Sequence, residues 1–228
     1  MRTAAVLPVK RFIRAKQRLS TSVADALRRE LAGAMVADVL DALARSEAIE
    51  QTILVTRERS VVDAAGVHGA IVVTDDSETG QSAAALLGIA RALEEGFERV
   101  LCVPGDCPAL EASELDALLH THSGDTSAPA AVIVPDRHGT GTNGLLLAPP
   151  DAIAPSFGPG SCERHQALAH SANLACRIEL VPSLLLDIDT GSDLDALRER
   201  LAAHPTGAPR TRAVLGVPGP SLASIHPA

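Results

Sequence analysis

Three aspartates stand at the ends of apolar runs in the chain. Asp106 follows the run Val100–Pro104, and Asp187 and Asp189 lie at the end of the run Leu184–Ile188. Because side chains alternate along a strand, Asp187 and Asp189 are expected on the same side. Like charges so placed repel unless a cation joins them, and Mg²⁺ prefers a few carboxylates with water and phosphate oxygens. We therefore predict a Mg²⁺ site at Asp106, Asp187 and Asp189.

Each aspartate also has a purely structural interpretation. Asp106 follows a glycine and precedes Cys-Pro, a composition typical of turns. Asp189 could instead cap the helix that follows. Only the three carboxylates together favour the metal site over these alternatives.

A basic segment follows the first predicted strand. Five of the nine residues from Lys10 to Arg18 are basic, namely Lys10, Arg11, Arg14, Lys16 and Arg18, although 20 Lys and Arg against 28 Asp and Glu give the chain a net charge of -8. Such a segment is either a solvated loop or a pocket for a small polyanion, and its place after a strand favours the pocket. The net negative charge and the lack of Trp and Tyr exclude a nucleic-acid partner.

The segment Gly139–Gly144 matches the pattern GxGxxG. The dinucleotide fingerprint needs a helix to follow, whereas Leu145–Ala148 predicts a strand stopped by Pro149 and Pro150. Backbone N–H groups and threonine hydroxyls can still hold a phosphate or carboxylate here, and a simple hairpin is the alternative.

A second glycine-rich segment, Phe157–Gly160, leads into Ser161. It predicts a turn that places Ser161 at a helix N-terminus, where free N–H groups bind anions. Ser161 as a plain N-cap is compatible with that role.

The elements that must position these residues are short strands and helices in alternation. Strands are predicted at Ala4–Val9, Thr52–Thr56, Ala70–Thr74, Val100–Pro104, Ala130–Val134, Gly144–Ala148, Ile178–Val181 and Leu184–Ile188. Helices are predicted from Val23 to Leu43 behind the N-cap Ser22, and at Gln81–Glu95, Ser113–His122 and Ser192–Ala203, the last with a capping box from Ser192 to Asp195. This order predicts an α/β fold with a mixed, mostly parallel sheet and helices on both faces.

Length and composition predict one domain. The 228 residues are 46% hydrophobic and 21% charged, which suits a single core over residues 1–203, whereas prolines 205, 209, 218, 220 and 227 predict a poorly ordered tail over residues 204–228. No apolar stretch reaches the ~20 residues that a bilayer span needs, and no signal peptide is evident. The four cysteines lack metal spacing and suggest small buried side chains in a reducing compartment, so a cytoplasmic protein is expected.

Taken in order, these segments resemble the 2-phospho-L-lactate or phosphoenolpyruvate guanylyltransferase family of coenzyme F420 biosynthesis, over roughly Thr3 to Leu201. The resemblance is carried by Leu7–Lys10 with Ala15–Leu19, Pro104–Pro108, Asp136–Asn143, Phe157–Ser161 and Asp187–Thr190.

The resemblance implies a three-layer, nucleotide-diphosphosugar-transferase-like fold that joins GTP to a small phosphorylated three-carbon acid. It implies that Asp106, Asp187 and Asp189 hold Mg²⁺, that Thr142, Gly158 and Ser161 hold the acid, and that Lys10, Lys16 and Arg18 contact the triphosphate. Phosphoenolpyruvate is the favoured acid, with 2-phospho-L-lactate and 3-phosphoglycerate as alternatives.

Two rival functions stay open at this point. One is another nucleotidyltransferase of the same fold, such as a molybdenum-cofactor enzyme, although those usually open with Leu-Ala-Gly-Gly where this chain has Leu7-Pro-Val-Lys10. The other is a non-catalytic nucleotide-binding module, against which the three aspartates argue. A homodimer is a further open expectation.

Overall fold

The computed structural model describes residues 1–12, 24–122 and 130–219. These residues form one seven-stranded sheet and seven helices. In chain order the elements are β1 (Thr3–Val9), α1 (Asp25–Arg45), β2 (Gln51–Thr56), α2 (Arg59–Val67), β3 (Ile71–Val73), α3 (Gln81–Glu94), β4 (Arg99–Cys102), α4 (Ala112–Thr121), β5 (Ala130–Pro135), β6 (Thr142–Ala148), α5 (Ser161–Ser171), β7 (Ala175–Ile178), α6 (Gly191–Ala203) and α7 (Pro209–Leu215). No described helix combines the length and the hydropathy that a transmembrane span requires.

The sheet has the order β3-β2-β1-β4-β6-β5-β7. Strands β1 to β4 are parallel to their neighbours in that group, and β5 is parallel to β7. Strand β6 is antiparallel to both β4 and β5. The predicted mixed, mostly parallel sheet is confirmed, and so is the strand after Gly139–Gly144 that excluded a dinucleotide fingerprint.

Successive residues of β1 explain why both sheet faces carry helices. Ala5 and Leu7 pack in one apolar cluster with residues of α1, α2 and α4, whereas Ala4 and Val6 pack in another with residues of α3 and α5. A strand buried on both sides is apolar at every position, which is why these strands appear in the sequence as unbroken apolar runs. A third cluster joins α1 to α6 and α7.

The prediction of a strand at Leu184–Ile188 is wrong. Leu184 and Leu185 lie in a turn and a bend, and residues 186–188 belong to no strand. The Ile188 N–H donates to the carbonyl of Asp106, in the turn after β4, at 3.1 Å. Its apolar residues are buried because Leu184 enters the sheet cluster and Leu186 and Ile188 enter the cluster of α1 and α6.

The strand predicted at Ile178–Val181 also lies too late in the sequence. Strand β7 pairs with β5 from Ala175 to Ile178, after which the chain turns at Pro182. The turn buries Val181. Burial next to the turn therefore accounts for Val181 alone, since Ile178 and Leu180 are exposed.

The expectation of a poorly ordered tail fails for its first half. Helix α7 packs against α1, and the buried Asp38 carboxylate accepts the backbone N–H groups of Arg210 and Thr211 at 3.1 and 2.8 Å. Pro209 lies in the first turn of α7, where its missing N–H costs no hydrogen bond, so the proline is compatible with a helix that begins there. Residues 220–228 lie outside the described residues.

Two predicted helix starts also change. Helix α1 begins at Asp25 after Ala24, and the predicted N-cap Ser22 lies outside the described residues. The capping box of α6 is formed by Thr190 and Asp193, not by Ser192 and Asp195.

Candidate active site

A cleft of about 810 Å³ opens where β1 and β4 end and where β6 and α5 begin. Its lining includes the predicted site residues Lys10, Asp106, Thr142, Gly158, Ser161, Asp187 and Asp189. Lys16 and Arg18 lie outside the described residues. The fold therefore brings residues from distant parts of the sequence around one opening.

One group of lining residues, which we name the charged wall, consists of Lys10, Asp106, Asp187 and Asp189. Lys10 follows β1 directly, and Asp106 lies in the turn after β4. Burial raises the pKa of Asp187, and the negative charges of Asp106 and then Asp189 raise that pKa further. Asp187 is thus close enough to Asp106 and Asp189 for both to disfavour its charged form.

Asn143 holds one carboxylate of the charged wall in place. Its side-chain amide donates to Asp187 Oδ1 at 3.1 Å and to the Leu184 carbonyl at 2.8 Å. Asn143 lies in β6, so it joins the Gly-Thr-Gly-Thr loop to the Asp-x-Asp segment. Sequence reasoning assigned no role to Asn143, because nothing local indicates which carboxylate its amide will meet.

The charged wall fits Mg²⁺ by the chemistry of its donors. Within the described ranges, no three His, Cys, Asp or Glu side chains are already gathered in a metal-binding group. Mg²⁺ commonly uses only one or two carboxylates and takes its other ligands from water and substrate phosphates. Asp187, with Asp106 and Asp189 near it in the lining of the same cleft, meets that smaller requirement.

A second group of lining residues, which we name the neutral wall, consists of Thr142, Gly158 and Ser161. Thr142 begins β6 and Ser161 begins α5, and both side chains are buried at the cleft surface. Gly158 has a φ of 110°, a left-handed conformation that favours glycine. The N-cap of α5 is Gly160, and no side chain caps the helix, so Ser161 is not the N-cap that the sequence allowed.

Two residues of α5 stabilise the neutral wall through hydrogen bonds. The Arg164 guanidinium donates to the carbonyls of Ser156 and Pro159, at 2.9 and 2.5 Å. His165 is fully buried and contacts Thr142 and Ser156 through its two ring nitrogens. The loop that contains Gly158 is therefore fixed by the helix that follows it.

An ion pair lies in the lining of the cleft, near Asp189. Arg137, in the β5–β6 loop, contacts Asp193 with 2.5 Å between Nη2 and Oδ1. Burial acts to raise the pKa of Asp193, but hydrogen bonds from Thr190 and Asp189 together with the Arg137 charge outweigh it and lower that pKa. Arg137 was quoted in the sequence motif without a role, and its partner follows only from the tertiary contact.

The chain matches a known family and known relatives. Residues 3–201 match the family model described as "Guanylyl transferase CofC like". A phosphoenolpyruvate guanylyltransferase of Conexibacter woesei is 49% identical over 94% of this chain and 96% of its own length. A 3-phospho-D-glycerate guanylyltransferase of Phenylobacterium zucineum is 34% identical over 83% of this chain and 86% of its own.

A solved structure supports the fold. A provisionally assigned nucleotide-diphospho-sugar transferase of Desulfovibrio desulfuricans superposes with a TM-score of 0.72, covering 95% of both chains at 17% sequence identity. At that identity the likeness concerns the fold alone, and it agrees with the three-layer α/β architecture.

Proposed function

The chain belongs to the CofC-like guanylyl transferase family, and from this premise we propose that it transfers GMP from GTP to a small phosphorylated three-carbon acid, releasing pyrophosphate. The observation that carries the proposal is a single cleft whose lining contains both the charged wall and the neutral wall. Two anionic substrates must meet in such a reaction, and the two walls offer each a separate place.

The reaction forms a bond between a phosphate oxygen of the acid and the α-phosphorus of GTP. The bond from the α-phosphorus to the bridging oxygen breaks, and its electrons leave with pyrophosphate. The attacking phosphate is largely ionised at neutral pH, since its second pKa is about 6. No side-chain base is needed, and the work of the site is to align two anions and offset their charge.

Each wall has a distinct task in that alignment. Asp106, Asp187 and Asp189 would hold Mg²⁺, which when bound neutralises charge on the phosphate oxygens. Lys10 is proposed to contact the triphosphate from the end of β1, with Lys16 and Arg18 as further contacts.

The neutral wall is proposed to bind the phosphorylated acid. The hydroxyls of Thr142 and Ser161 are hydrogen-bond donors without charge of their own, so they can bind an anionic oxygen without competing with Lys10 for the triphosphate. Phosphoenolpyruvate is the proposed acid, supported by the name of the relative at 49% identity. The proposed role of the product is in coenzyme F420 biosynthesis.

The test is a competition among acids. The purified protein, GTP and Mg²⁺ are incubated with equal concentrations of phosphoenolpyruvate, 2-phospho-L-lactate and 3-phosphoglycerate, and products are identified by mass. Pyrophosphate release with a guanylylated phosphoenolpyruvate as the main product is expected. Binding of GTP without pyrophosphate release would instead indicate a non-catalytic module, and a different main product would revise the acid alone.

A further inference from the structure

His165 lies behind the neutral wall and takes no part in the steps above. Its Nε2 atom is 2.8 Å from the backbone nitrogen of Ser156, and its Nδ1 atom is 3.0 Å from the Thr142 hydroxyl oxygen. The edge of the ring meets Phe157, with 5.2 Å between ring centroids. Both nitrogens of a fully buried ring are thus engaged.

The Ser156 contact decides which nitrogen carries the proton. A backbone N–H can only donate, so Nε2 must present its lone pair. Burial, and to a smaller extent the Arg164 charge, lower the pKa of His165 to about 4, so the ring is neutral at physiological pH. The single proton of the neutral ring is therefore on Nδ1, and Nδ1–H donates to the Thr142 hydroxyl.

That donation leaves the Thr142 hydroxyl with its own proton to give. A hydroxyl has one proton and two acceptor positions, and His165 uses one acceptor position. Within residues 1–12, 24–122 and 130–219, the Thr142 hydroxyl makes no other hydrogen bond, and Thr142 lines the cleft. In the opposite tautomer, Nδ1 of His165 would accept a hydrogen bond from the Thr142 hydroxyl. Only lone pairs of that hydroxyl would then be available to the substrate, and they would repel an anion.

We propose that His165 is a positioning residue for the phosphorylated acid: it makes the Thr142 hydroxyl a hydrogen-bond donor to an anionic oxygen of that substrate. The proposal rests on the proposed function, because it concerns the same neutral wall.

Two substitutions separate the two hydrogen bonds of the ring. In His165→Asn the amide nitrogen takes the place of Nδ1 and can still donate to Thr142, whereas the acceptor for Ser156 is lost. In His165→Gln the longer side chain can still accept from Ser156, whereas the donor to Thr142 is lost. Each variant loses one hydrogen bond and some buried volume, so their losses of thermal stability are expected to be similar.

Kinetics on the full chain then tests the inference, with His170→Gln, exposed on the same helix, as the control. We expect His165→Gln to raise the KM for phosphoenolpyruvate about tenfold, the loss typical of one hydrogen bond to a charged group, while His165→Asn stays close to the wild type. The KM for GTP should be unchanged in both. Equal effects of the two variants on the acid, or a larger effect of His165→Asn, would overturn the proposal.

A double substitution distinguishes an effect of His165 through Thr142 from a general loss of local structure. If His165 acts through Thr142, then Thr142→Val with His165→Gln should have the same KM for the acid as Thr142→Val alone. Multiplying effects would show that the two residues act independently and would overturn the proposal. A wild-type protein that guanylylates none of the three acids would instead refute the proposed function, and this inference with it.

Discussion

The charged wall and the neutral wall of the cleft differ in what holds their side chains in place. On the neutral wall, His165 and Arg164 fix Thr142 and the Gly158 loop before any substrate arrives. On the charged wall, Asn143 steadies Asp187, but the neighbouring carboxylates repel it. The neutral wall is therefore held by hydrogen bonds within the chain, whereas on the charged wall the proposed cation would offset the repulsion at Asp187.

Removing one charge should produce the largest effect and should test that difference directly. Asp187→Asn is expected to lower kcat by at least ~100-fold, the scale for losing one element of electrostatic stabilisation. The same variant should melt at a higher temperature than the wild type in the absence of metal, because a repelled carboxylate is gone while an oxygen remains to accept from Asn143. Turnover and thermal melts with and without Mg²⁺ measure both effects.

Asp151→Asn, exposed in the turn after β6, is the control for this substitution. Near-normal turnover of Asp187→Asn would remove Asp187 from the metal site. A lower melting temperature without metal would show that the charged wall is not strained by repulsion.

Lys10→Ala tests whether the charged wall serves GTP alone. We expect the KM for GTP to rise about tenfold and the KM for the acid to stay unchanged, because one charged contact to one substrate is lost. Lys10 and Lys16 are the only lysines in the sequence, so amine-specific labelling followed by peptide mass analysis reports on them alone among side chains. GTP should protect both lysines, and equal rises in both KM values would assign the segment to folding instead.

Ser161→Ala tests the neutral wall without disturbing its support. The KM for the acid should rise about tenfold, since one hydroxyl donor to an anion is lost. The free energy of unfolding should be nearly unchanged, because Gly160 is the N-cap and the Ser161 hydroxyl makes no hydrogen bond within the described residues. Ser171→Ala, at the exposed end of α5, is the matched control, and a raised KM for GTP would place Ser161 on the wrong wall.

The smallest effect is on the pH dependence of stability. The pKa of His165 is about 4 in the folded chain and near 6.5 in the unfolded chain. Between these two pH values the ring is protonated in the unfolded chain but neutral in the folded chain. This contribution to stability is present above pH 6.5 and is lost as the pH falls from 6.5 to 4. His165→Gln should therefore show a shallower fall of Tm across that window than the wild type, by a few degrees, and parallel curves would contradict a buried neutral ring.

Patterns of residue type within a few positions predicted much of this molecule. Alternating apolar runs and helical repeats predicted the mixed sheet, and the prolines after Leu145–Ala148 correctly distinguished a strand from a nucleotide-binding helix. The carboxylates at Asp106 and in Asp187-x-Asp189 were predicted to share one opening, and they line one cleft, although the segment before Asp187 and Asp189 is not a strand. All of these inferences depend on local geometry, which neighbouring residues largely determine.

Contacts between distant segments lay beyond such patterns. Leu184–Ile188 has the composition of a strand, yet its apolar residues are divided between two helix-covered clusters. Helix α7 is held against α1 by apolar packing and by the Asp38 carboxylate, which accepts the N–H groups of Arg210 and Thr211. The tautomer of His165 is set by the Ser156 backbone. A buried polar group must find a partner, and only the tertiary fold decides which partner it meets.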